Sequence, residues 1–195
     1  MGICVGFAVV MQLITLHAPP IKLNVAAVQP AVAKSCTELP VAKVSTTSTR
    51  SALWLSAPNV KICPQSDVTY SRAIKATRFW RRLGYDFGDI SVAPRDDMGC
   101  VTGNAAHNEI LIDLPSQGFE FGDHLGTTKT WYHSTTKEIF RAKIEIVKGW
   151  GPSERVLEHE LGHALGWRDN NRQGHLMNRS WTAGGWNIKG LRIDE

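Results

Sequence analysis

The sequence predicts one α+β domain, α/β-like in its alternation, built on a mixed and mostly parallel twisted sheet. Three observations predict it. Short apolar or alternating segments recur between residues 52 and 147. One long amphipathic stretch interrupts them early, and a second helical stretch follows the last of them. The order strand, helix, several strands, helix is that of a layered domain around one sheet.

Taken in order, Gly2 to Leu16 carries no charged side chain. It is too short for a spanning helix and suits a signal-peptide core or an uncleaved anchor, with Ala31-Val32-Ala33 as a small-residue cleavage site. Residues 1–33 are therefore expected to be a signal peptide or N-terminal anchor, which implies a secreted, periplasmic or otherwise extracellular protein. Residues 34–51, with the run Ser45-Thr46-Thr47-Ser48-Thr49, lack periodicity and large apolar groups, and are expected to be a linker or propeptide. Residues 52–195 form the expected folded domain.

Within that domain, Leu53-Trp54-Leu55 and Val60-Lys61-Ile62 suit strands. Ser66-Asp67 offers an N-cap for a helix whose Ala73, Ala76, Trp80 and Leu83 share one face, ending near Gly84. Arg72, Lys75, Arg78 and Arg82 fall on another face, expected to be solvated. Ile90 to Val92 and Glu109 to Leu114 read as strands, with a polar loop at Asp96 to Asn108 between them. Gly118 to Thr130 is expected to be a second loop. Thr130 to Tyr132 and Ile139 to Val147 follow as strands. In the latter, Ala142, Ile144 and Ile146 alternate with Lys143 and Glu145, which predicts a half-exposed edge strand. Gly149-Trp150-Gly151-Pro152 breaks the chain, and Ser153 is the expected cap of the final helix, with Glu154 in its first turn.

Composition narrows the class. Hydrophobic content of 43% and charged content of 21% are those of a globular chain, and the net charge of +4 is mild. The expectation is a solvated surface, no nucleic-acid partner, no membrane domain beyond the N-terminus, and a monomer. There are four cysteines, Cys4, Cys36, Cys63 and Cys100, with no CxxC spacing. A thiolate metal site is therefore not expected. Cys63 and Cys100 both fall beside strand-like sequence, either as a disulfide in an exported protein or as two buried thiols.

The chemistry is concentrated in His159-Glu160-Leu161-Gly162-His163-Ala164-Leu165-Gly166-Trp167-Arg168-Asp169. On a helix of 3.6 residues per turn, His159 and His163 share a face, and both imidazoles can reach one zinc ion. Glu160 lies about 100° around the helix, placed to act on water as general base without being a ligand. Val156, Leu157, Leu161, Ala164 and Leu165 give the helix an apolar body, where histidines without a partner would be costly. Gly166 can turn the chain back sharply. Asp169 then falls where a third ligand is needed, with His175 as the alternative. His17, His107, His124 and His133 show no ligand spacing, and Trp150 and Trp167 are expected to pack.

This segment resembles the extended zinc motif of the metzincins, HExxHxxGxx followed by His or Asp. Asp at the last position is similar to the snapalysin-type proteases. Gly174-His175-Leu176-Met177-Asn178 resembles the methionine turn of that clan, at a distance from His159 similar to that in matrixins. The likeness is strong over residues 156–178, weaker over 52–150, and absent from the first fifty residues. It departs in the residues after Met177, in the lack of a cysteine-switch motif, and in the short C-terminal part.

The resemblance implies a metzincin-like fold with an active-site helix and a short C-terminal subdomain. It implies a zinc metalloendopeptidase with one catalytic Zn2+ on His159, His163 and Asp169, Glu160 as base, and Met177 beneath the metal. By the same analogy, substrate would pair with the edge of the strand at Ala142 to Val147. Calcium has no identifying spacing in the polar loops. The alternatives are a non-catalytic zinc-stabilised cell-surface binding protein and a zinc hydrolase of non-peptide amides.

Overall fold

The computed structural model describes residues 48–115 and 124–193; the apolar N-terminal stretch and most of the proposed linker lie outside them. The chain forms β1 (Asn59–Ile62), α1 (Tyr70–Arg81), β2 (Ile90–Val92), α2 (Met98–Thr102), β3 (Glu109–Asp113), β4 (Gly126–Tyr132), β5 (Ile139–Ile146) and α3 (Val156–Ala164). The five strands make one sheet in the order β2-β1-β3-β5-β4. The first four run parallel, and β4 pairs antiparallel with β5. The domain is thus α+β with a mostly parallel sheet, as the alternation predicts.

The period of two along the strands sorts side chains between two faces. Val60, Ile62, Ile110, Ile112, Ala142, Ile144 and Ile146 meet Ala73, Ala76 and Trp80 of α1 and Leu157, Leu161 and Ala164 of α3 in one core. On the other face, Cys63, Ala93, Cys100, Ala105 and Leu111 form a smaller cluster, closed by a Cys63–Cys100 disulfide. Beside it, Lys61 pairs with Glu109 at 2.9 Å, and Lys143 pairs with Glu145 at 2.9 Å.

That charged layer corrects one expectation. β5 is not an edge strand: it lies between β3 and β4, and the edge belongs to β4. Lys143 and Glu145 are buried, but they neutralise each other. A buried ion pair and a solvated face have the same alternating pattern in sequence. The expected loop at Gly118 to Thr130 likewise gives way to β4 from Gly126 onward.

Local corrections follow hydrogen bonds that cap rules do not reach. Thr69, not Ser66 or Asp67, caps α1, accepting from the Arg72 amide at 3.2 Å. Asp67 instead accepts from the Gly149 amide and ties the start of α1 to the turn after β5. The polar loop at Asp96 to Asn108 contains α2, capped by Asp97. Leu53 makes only an isolated bridge to Glu138 rather than a strand. Ser153 does not cap α3; Arg155 holds that position, and the Glu158 carboxylate accepts from its amide at 2.8 Å. Arg72 is not part of a solvated stripe. It is buried, and its guanidinium meets both oxygens of the buried Glu158 carboxylate, locking α1 to the start of α3.

Candidate metal centre

Helix α3 places the two histidines and the glutamate. Its apolar face, Leu157, Leu161 and Ala164, is fully buried, which fixes the rotation of the helix about its axis. His159 and His163 then stand one turn apart, facing a cleft of about 500 Å³. The imidazoles are oriented by their far nitrogens. Nδ1 of His159 donates to the Leu176 carbonyl at 2.7 Å, and Nδ1 of His163 donates to the Trp167 carbonyl at 2.8 Å. A carbonyl can only accept, so both Nδ1 atoms carry a proton and it is the Nε2 atom of each ring that is turned toward the cleft. This use of a second hydrogen bond to set the tautomer is typical of metal-ligating histidines.

The helix stops at Leu165, and Gly166 takes φ of 96°, a left-handed turn that a side chain would strain. The chain doubles back and brings Asp169 over the helix face. Asp169 Oδ1 lies 3.5 Å from His159 Nε2 and 3.3 Å from His163 Nε2, and the two Nε2 atoms are 3.1 Å apart. These are the three side chains, among the described residues, that cluster as a metal could use. Burial opposes protonation of His163, but the hydrogen bond to Asp169 and the charges of Glu160 and Asp169 outweigh it and raise the imidazole to about 9. Burial would raise Asp169, yet its hydrogen bonds to the two histidines hold it well below the usual carboxylate range. The three donor atoms therefore stand close enough together for one cation to bind all of them.

His175, the alternative third ligand, is not in that unit. It is fully buried, with both ring nitrogens committed elsewhere. Nδ1 accepts from the Met177 amide at 3.0 Å and from Asn170 Nδ2 at 2.9 Å, and Nε2 donates to the Lys189 carbonyl at 3.1 Å. Burial lowers its pKa, consistent with a neutral ring acting as a hub of the loop. Met177 is also fully buried, beneath the helix. A Cβ at Gly162 would lie 2.4 Å from the Met177 sulfur, so glycine here is what lets the methionine approach the helix.

Glu160 is nearly buried at the cleft wall. One carboxylate oxygen accepts from Thr128 Oγ1 at 2.6 Å, and a Cβ at Gly126 would lie 2.9 Å from the other. The edge strand β4 thus shapes the seat of this carboxylate, and Gly126, Thr127, Thr128 and Thr130 line the cleft. Neither Thr128 nor Gly126 carries a signal in sequence, because the contact joins residues 32 apart through the sheet. His124, which shows no ligand spacing in sequence, is exposed and lines the cleft. Trp150 and Trp167 pack as expected, and Trp167 donates to the Tyr85 hydroxyl at 2.8 Å. His107 stacks on Phe140, His133 lies tilted against the same ring, and His17 lies outside the described residues.

Comparison of the chain with models of known protein families and with curated proteins finds no match. Among the described residues no helix is long and apolar enough to cross a membrane.

Proposed function

We propose that the protein is a secreted zinc metalloendopeptidase of metzincin type, with His159, His163 and Asp169 as ligands and Glu160 as general base. The observation that carries the proposal is the donor triangle. Two donors at 2.0–2.1 Å from a tetrahedral ion stand about 3.3 Å apart. The separations here are 3.1, 3.3 and 3.5 Å. Two imidazoles and one carboxylate suit zinc by donor type, and three protein ligands leave a position for water and substrate.

When bound, zinc supplies Lewis acidity, acidifying a water and polarising a peptide carbonyl. The rest falls to the chain's own groups. Glu160, held by Thr128 and free of the ligand set, takes a proton from the attacking water and passes it to the leaving amine. The edge of β4, the last strand of the sheet among the described residues, offers backbone donors and acceptors to an extended peptide beside the cleft. That edge replaces the Ala142 to Val147 strand as the substrate platform.

A structural zinc site in a binding protein is the weaker alternative. Structural sites use four protein ligands, and three converge here among the described residues. An open cleft beside a strand edge also favours a peptide over a small amide. Export fits the Cys63–Cys100 disulfide. The test is hydrolysis of casein and of a quenched peptide library. Activity lost on chelation, restored by zinc, and lost in Glu160→Gln is the expected outcome. Full activity of Glu160→Gln removes the mechanism.

A further inference from the structure

Residues Ser48 to Ala52, placed by composition in or beside the connecting segment, are bound to the loop that carries Asp169. Thr49 accepts from the Arg168 amide at 3.0 Å, and the Ser51 amide donates to the Gly166 carbonyl at 2.9 Å. Arg50 and Trp167 pair antiparallel between those bonds. The strap therefore forms a short ladder across the three residues that join the end of α3 to Asp169. Arg50 Nε also donates to the Leu165 carbonyl at 3.0 Å, taking a carbonyl left orphaned where the helix ends. Its guanidinium lies 5.2 Å over the Tyr85 ring. Beyond Asp169, Ser48 Oγ accepts from Asn170 Nδ2 at 3.3 Å and from His175 Nε2 at 3.1 Å. A Cβ at Gly166 would meet the Ala52 carbonyl at 2.0 Å, so the turn and the strap fit only with glycine there.

Asp169 itself is 43% exposed, and its side chain contacts the two histidines alone among the interactions above. What holds it over the helix is thus the backbone on either side, and the strap grips both sides. Metal-site residues behind the ligands typically change affinity by 10- to 100-fold when removed.

We infer that Ser48 to Ser51 is a latch for the third ligand, with Ser48 and Arg50 as positioning residues that set metal affinity from outside the ligand set. The inference rests on the zinc site proposed above. By linkage the coupling runs both ways: a docked strap tightens zinc binding, and bound zinc keeps the strap docked. An N-terminal cut after Arg50 would release the latch while leaving both histidines on their helix.

The test uses the full-length chain and measures zinc affinity by chelator competition. Ser48→Ala with Arg50→Ala is expected to weaken zinc roughly 10- to 100-fold, and Ser48→Thr, which keeps the hydroxyl, to bind as the parent does. Val60→Ala, a cavity in the remote sheet core, is expected to lower the Tm and leave zinc affinity unchanged. A strap variant that loses Tm but keeps its zinc affinity overturns the inference. A second arm needs no variant. Zinc should slow tryptic cleavage between Arg50 and Ser51, with half-effect at the zinc Kd, and leave cleavage after the exposed hairpin residue Lys137 unaltered. Cleavage at Arg50 indifferent to zinc also overturns it. A parent chain that takes up no zinc instead removes the metal-site proposal, and the latch with it.

Discussion

Replacing Arg72 with methionine should be among the most damaging single changes in the protein, although its position in sequence suggests a surface residue. Arg72 and Glu158 are 7% and 2% exposed, and the pair is bidentate. Arg72 also donates to the Ser153 carbonyl at 3.0 Å. Removing the guanidinium leaves a carboxylate in the core with only the Arg155 amide to satisfy it. Breaking a buried pair on one side costs about 3–5 kcal/mol. Domains of this size are stable by about 5–15 kcal/mol, so the loss is a large share of the whole. The double variant Arg72→Met with Glu158→Gln removes the charge and keeps an acceptor for the Arg155 amide. It should recover most of the loss, ending within about 2 kcal/mol of the parent. Urea unfolding of the metal-free chain measures all four corners of the cycle. The loss should change little with added salt, since a buried pair is poorly screened. A single variant costing under about 1 kcal/mol, the range of surface pairs, would refute the reasoning. A double variant as unstable as the sum of its singles would also refute it. Glu158 lies in the first turn of α3, one residue before His159, so zinc affinity should fall with stability in Arg72→Met and return in the double variant.

Three further outcomes are expected. Gly162→Ala places a methyl 2.4 Å from the Met177 sulfur and 2.9 Å from the Trp80 ring. It should cost about 1–3 kcal/mol by overpacking and weaken zinc as the methionine shifts, read by thermal unfolding and chelator competition. Thr128→Val removes the hydroxyl bound to Glu160 at nearly constant volume. It should lower kcat about tenfold or more with KM little changed, as befits a hydrogen bond of about 1.5–3 kcal/mol to a charged group; an unchanged kcat would remove Thr128 from the machinery. In the metal-free protein the raised pKa of His163, about 9, means that the protonated ring stabilises the fold. That contribution is full below the unfolded value of 6.5 and is lost as pH rises through about 9. Zinc must displace that proton, so its affinity should climb roughly tenfold per pH unit across the same window and then level off. A flat affinity profile between these values would contradict the coupling.

Much of the site was legible because it is local. His159, Glu160 and His163 lie within five residues, and helical periodicity alone puts the histidines on one face. Gly166 announced the turn toward Asp169, and Met177 stood out only through the resemblance to the metzincin methionine turn. What was misread concerned residues whose partners are distant in the chain. Lys143 and Glu145 look solvated until the fold buries them together beside Asp113. Arg72 looks like one of a basic stripe until Glu158 arrives from 86 residues away. His175 and Asp169 are both reasonable donors in sequence, and the hydrogen bonds of the folded loop separate them.

The sequence alone determined the α+β class, the helix with its two imidazoles, the carboxylate between them, and the turn that brings the chain back toward them. Each follows from spacing within a few residues, where backbone geometry translates directly into direction in space. Only the tertiary structure decided that β4 forms the edge beside the cleft, that Thr128 and Gly126 seat Glu160, and that Ser48 to Ser51 brace the Asp169 loop. Those contacts join segments separated by 30 to 130 residues. No local propensity encodes them; they appear when burial of the apolar faces brings the pieces together.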